Sequence, residues 1–91
     1  MNPNIHYARI VKFDICERFG MLDDMRQIIK FFEQPEYKNK YHNNIISFKA
    51  ILLAKEGQID EAVDYFRGNI RDYTEDAKDK FIVKLERYKE E

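Results

Sequence analysis

The chain has 91 residues, 44% apolar and 36% charged, which suits a single domain with its own core and argues against wholesale disorder. Lys and Arg number 16 against 17 Asp and Glu, so the net charge of −1 supplies no field to draw nucleic-acid phosphates or anionic lipid. A single Cys excludes an internal disulfide framework, and only 3 Gly and 2 Pro leave little room for many hairpin turns, so the composition leans helical.

The first periodic segment runs from about Pro3 to Phe19. Asn2 can cap its free N–H groups and Pro3 suits a first helical turn. Ile5, Ala8, Val11, Ile15 and Phe19 step by threes and fours, which predicts the buried face, with Phe13 and Cys16 widening it. Gly20 ends the helix, because it reaches the left-handed conformation cheaply. A second helix is expected over Leu22 to Glu33, with Asp23 and Asp24 near its positive end and a stripe of Met25, Ile28, Ile29 and Phe32. Pro35 closes it.

A third helix is expected from about Lys38 to Glu56, with Ile45, Phe48 and Leu52 on one side and Ile46, Ala50 and Leu53 beside them. So broad an apolar surface implies cover on two sides. Its polar opening, YKNKYHNN, reads as a frayed turn or a loop, and Gly57 stops it. Ile59 to Ile70 reads as a fourth helix buried along Ile59, Ala62, Val63, Phe66 and Ile70, with Gly68 a weak spot. Thr74 caps a last helix whose buried stripe is Ala77, Phe81, Leu85 and Tyr88. The opening MNPNIHYARI lacks a charged-then-apolar leader, and the apolar run at AILLA is too short to cross a bilayer. A cytoplasmic protein with no membrane partner is therefore expected.

One phrase occurs twice. GMLDDMRQII at Gly20 returns as GQIDEAVDYF at Gly57, 37 residues later, each time between two helices. A period of this size signals helical hairpins that bury their faces by stacking on one another. The second copy resembles the tetratricopeptide repeat, whose unit is about 34 residues. Ala50 and Ala62 stand at its small contact positions, Leu53 at the large position that follows, Gly57 at the turn, and Tyr65–Phe66 at the aromatic pair. The first copy departs, with Phe13 and Met25 where small residues are expected, as in an atypical terminal repeat. Degenerate repeats of other families, including the pentatricopeptide type, share the profile. The expected fold is all-α: one helical-repeat domain over 1–91, with hairpins at about 3–33 and 38–70 and a capping helix at about 74–90.

Reactive chemistry finds no foothold. Cys16 sits among core-facing residues without a neighbouring base, and His6 and His42 belong to no metal-ligand spacing. Asp23–Asp24 and Asp60–Glu61 are accounted for by helix starts. Calcium loops, phosphate-binding Gly loops and nucleophile elbows are missing from the sequence. No catalytic residue, metal or cofactor is expected. Among the aromatics, Tyr7, Tyr37, Tyr41 and Tyr73 are the less obviously buried ones and could anchor partners.

The resemblance supplies a function instead. Tetratricopeptide domains hold peptides or partner helices in a concave groove lined by the first helix of each repeat. Mapped here, that groove has one strip of Tyr7, Ile10, Asp14 and Glu17. Asn44, Ser47, Phe48, Ile51 and Lys55 form the next, with Phe81, Lys84 or Tyr88 completing it. The subset that clamps a C-terminal carboxylate uses Lys and Asn, where this chain has Ile10 and Asp14, so that clamp is absent. The sequence thus reads as a non-enzymatic protein-interaction module, an adaptor or scaffold. A homo-oligomeric structural or regulatory protein is the second reading. Binding of RNA or DNA ranks lower, because the Lys and Arg of the last helix are interleaved with acids.

Overall fold

The structure, a computed structural model, describes residues 4–90. The expected Asn2 cap and Pro3 first turn lie outside the described residues. Five α-helices follow one another, α1 (Asn4–Phe19), α2 (Leu22–Phe32), α3 (His42–Lys55), α4 (Ile59–Asn69) and α5 (Glu75–Glu86), and a 3-10 turn covers Arg87–Glu90. No strand occurs among the described residues. The fold is all-α with antiparallel neighbours.

Both glycine hinges are built the same way. Gly20 and Gly57 have φ of 66° and 90°, the left-handed region that a Cβ disfavours. Beyond Gly20, the Met21 N–H donates to the Cys16 carbonyl at 2.9 Å and the Gly20 N–H to that of Glu17 at 3.4 Å. Gln58 and Gly57 repeat this on Leu53 and Ala54, at 2.9 and 3.1 Å. These paired bonds satisfy helix-end carbonyls that would otherwise be orphaned. Met21 (φ −83°, ψ 73°) and Gln58 (φ −99°, ψ 61°) then swing the chain into the next helix. Neither supplies a side-chain cap, and carboxylates fill the first turns, Asp23 and Asp24 in one and Asp60 and Glu61 in the other. The doubled phrase is one hinge used twice.

α3 packs against each of the other four helices, and its contact with α4 is the most extensive in the molecule. Consecutive helices pack together throughout, while α1 and α5 also touch α3. The result is a slab of 40 × 29 × 18 Å, whose thickness is that of two helix layers at the usual interaxial spacing. The double covering of α3 explains its burial all round: Ile45, Ile46, Phe48, Ala50, Ile51 and Ala54 are all buried. On α2 the expected stripe of Met25, Ile28, Ile29 and Phe32 is the buried one.

Two faces differ from the sequence expectation. On α1 the arc of Ala8, Val11, Ile15 and Phe19 points to solvent, with Phe19 76% exposed, while Phe13 and Cys16 are buried. The helix carries two apolar arcs, and both α2 and α3 pack on the side of Phe13. On α5 the deepest residues are Ile82 and Leu85, whereas Ala77, Phe81 and Tyr88 are half-buried. This helix meets α4 and α3 together, which rotates its buried arc; Phe81 stacks on Phe66 from the flank, ring centroids 4.3 Å apart.

The connections are ordered by polar contacts. α3 starts at His42, later than the expected Lys38, because residues 33–41 form compact turns, with Lys38 donating to Gln34 and Tyr41 to Tyr37, each at 2.9 Å. Tyr37 and Tyr41 pack there against Phe31, Phe32 and the His6 ring. Between α4 and α5, the Asn43 side chain donates to the Arg71 carbonyl at 2.8 Å and accepts from its N–H at 3.0 Å. His42 Nε2 lies 2.8 Å from the Asn69 carbonyl, so the start of α3 holds this loop. Thr74 caps α5 as expected, its hydroxyl accepting from the Ala77 N–H at 3.1 Å.

Candidate functional site

Three helices, α1, α3 and α5, enclose a groove of about 420 Å³. α1 contributes Tyr7, Ile10, Val11, Phe13, Asp14 and Glu17, which recur every three or four residues on one flank. Ser47, Phe48 and Ile51 of α3 form the second wall, and Phe81 and Lys84 of α5 close the third side. The floor is aromatic: Phe13 and Phe48 stack with ring centroids 3.9 Å apart and planes 19° from parallel. Both are buried, so the floor is fixed by the core beneath it.

Nine of the residues assigned to a groove from the sequence stand around one cavity: Tyr7, Ile10, Asp14 and Glu17, then Ser47, Phe48 and Ile51, with Phe81 and Lys84 completing it. Asn44 and Lys55 do not line it. Asn44 borders a polar hollow with Asn43, Arg71 and Asp72, and the Lys55 ammonium lies 4.8 Å from the centroid of the Tyr88 ring. Val11 and Phe13 are added by the structure. Phe13 carried a usable signal, since it sits one turn from both Ile10 and Glu17 on the same helix flank.

Glu17 is the one buried charged residue among those described, at 9% exposure. Tyr88 donates a hydrogen bond to its Oε2, and the Lys84 ammonium stands 3.5 Å from Oε1. A carboxylate taken out of water requires such partners, because its desolvation is otherwise unopposed. Asp14, further out on the same helix, is half exposed and pairs with Arg18 at 3.1 Å. An exposed pair of that kind contributes at most about 1 kcal/mol. The groove is thus apolar below and charged at its rim.

The thiol and the imidazoles lie elsewhere. Cys16 is free and buried in the core. His6 stands in the aromatic cluster, 4.8 Å from Tyr37 by ring centroids, with its Nδ1 buried and unpartnered. His42 contacts a backbone carbonyl. Among the described residues, no group of three or more His, Cys, Asp and Glu is placed to hold a metal ion, and no helix is long and apolar enough to cross a membrane. Comparison with protein-family models, with curated proteins and with solved structures finds no match.

Proposed function

We propose that this chain is a non-enzymatic protein-interaction module, a cytoplasmic adaptor or scaffold, that takes an apolar segment of a partner protein in the α1–α3–α5 groove. One observation carries the reading. The walls come from the first helix of each hairpin and the closing helix, which is where a tetratricopeptide-like repeat presents its concave surface. The volume suits one or two side chains of a peptide or helix, and the stacked Phe13–Phe48 floor offers them apolar contact. Ile10 and Asp14 stand at this wall where a carboxylate clamp needs Lys and Asn, so the ligand is an internal segment.

Ser47 gives the cleanest test, because it lines the groove and is only half-buried. Ser47→Trp fills the cavity without removing a core side chain. Peptides are selected from a displayed random library on the wild-type protein and then measured against both forms by titration. Apolar internal segments that lose at least about tenfold in affinity on Ser47→Trp support the reading. Failure to select any binder, or binders indifferent to the substitution, overturns it.

A further inference from the structure

We infer that the outer face of α1 is a two-fold interface through which two copies of this chain pair antiparallel. Tyr7, Val11, Ile15 and Phe19 recur at every fourth residue and form one continuous apolar row, 67%, 41%, 47% and 76% exposed. Met21, 44% exposed, extends the row past the hinge. These are five of the seven large hydrophobic side chains exposed among the described residues, a concentration that scattered surface exposure does not produce. Covering them buries roughly 500 Å² per copy, or about 1,000 Å² for a pair, which reaches the lower bound of a specific interface.

The face is complementary to itself in shape and charge. Rows of every fourth residue pack into the grooves between such rows on a facing helix with the axes crossing at about 50°, so an identical helix is a fitting occupant. A two-fold axis makes every contact reciprocal. Set at the level of Cys16, it places Asp14 of one copy beside Arg18 of the second, and Arg18 beside Asp14. Within one copy these two form an exposed ion pair at 3.1 Å, free to exchange partners across the interface. Ile15 then meets Ile15 and Phe19 of the second copy. Lys12, on the opposite edge of the row, ends about 12 Å from its counterpart at 1.5 Å rise per residue, beyond the Debye length of about 8 Å in physiological salt. Tyr7, Val11 and Asp14 also border the α1–α3–α5 groove, so pairing competes with a groove ligand; Ile15 and Phe19 lie outside the groove and test the pairing by itself.

Sedimentation equilibrium over a wide concentration range tests it. The wild-type mass should rise from 11.1 kDa toward twice that value. Ile15→Glu and, separately, Phe19→Asp should hold it at 11.1 kDa with an unchanged helical circular dichroism spectrum. Asp14→Arg should weaken pairing about tenfold, and adding Arg18→Asp should restore it. A wild-type protein that stays at 11.1 kDa up to about 1 mM overturns the inference, as does undiminished pairing in Ile15→Glu. A charge-swapped double variant that does not regain pairing overturns the antiparallel register.

Discussion

Where α3 meets α4, Ala50 and Ala62 are completely buried; in the preceding hairpin, the places 37 residues earlier on α1 and α2 hold Phe13 and Met25, buried just as deeply. The hinge between the helices is the same in both hairpins, down to the two carbonyls it satisfies. What changes is the filling. Two alanines let α3 and α4 form the most extensive contact in the molecule. Phe13 instead turns its ring onto Phe48 of the next hairpin, and the α1–α2 contact is the smaller one. A repeated backbone device therefore tolerates different side chains at its crossing, provided the displaced volume is taken up between hairpins.

Exchanging the fillings should break that relation. Met25→Ala gives the first hairpin the residue of the second, and should lose about 2–5 kcal/mol, because the cavity left by a fully buried Met cannot collapse. A urea unfolding curve displaced by less than about 1 kcal/mol would mean that α1 and α2 can close up as α3 and α4 do. The reverse change, Ala62→Met, should lose about 1–3 kcal/mol by overpacking, read in the same way.

The hinges sharpen the comparison from the other side. Gly20→Ala and Gly57→Ala each force a Cβ into the left-handed region, and nothing stands within 4 Å of the added atom at either site. Each should therefore cost about 1–2 kcal/mol, the backbone term alone, and the two thermal shifts should agree closely. A clear inequality would show that the hinges are alike only in appearance.

The smallest effect concerns position 65, whose counterpart in the first hairpin is the untitratable Ile28. Burial pushes the Tyr65 phenol above its usual 10.0, with Glu33 adding to the rise and Lys49 opposing it. A raised acid favours the neutral form in the fold. The stability this provides is present below the unfolded value and is lost as pH climbs through the folded one. Amide exchange at about pH 9 and 11 should show α4 loosening before α2, and Tyr65→Phe should remove the difference.

Much of this architecture was legible in local chemistry. Gly20, Gly57, Pro35 and Thr74 mark helix ends through backbone preferences that act within a few residues, and the structure places the ends there or close by. The stripe on α2 was readable because that helix has a single apolar arc. α1 has two, and its spacing cannot say which one α2 and α3 will cover; Val11, Ile15 and Phe19 were therefore misassigned to the core. Mapping the resemblance onto α1 and α3 had drawn together Tyr7, Ile10, Asp14, Glu17, Ser47, Phe48 and Ile51, which border one cavity, but also Asn44 and Lys55, which do not. The same mapping set Lys84 and Tyr88 beside the groove, but did not reach their pairing with Glu17, a side-chain contact across 67 and 71 positions that no local spacing specifies.

That distant attachment alters how the whole molecule can flex. Stacked hairpins ordinarily behave as a spring, each unit gripping only its neighbours. Here the C-terminal end of α1 and the last helical segment are clasped to one another through a single sequestered carboxylate. Spreading α1 from the C-terminal segment must first strip Glu17 of Tyr88 and Lys84, so the span between the outer helices is set by a polar lock as well as by grease.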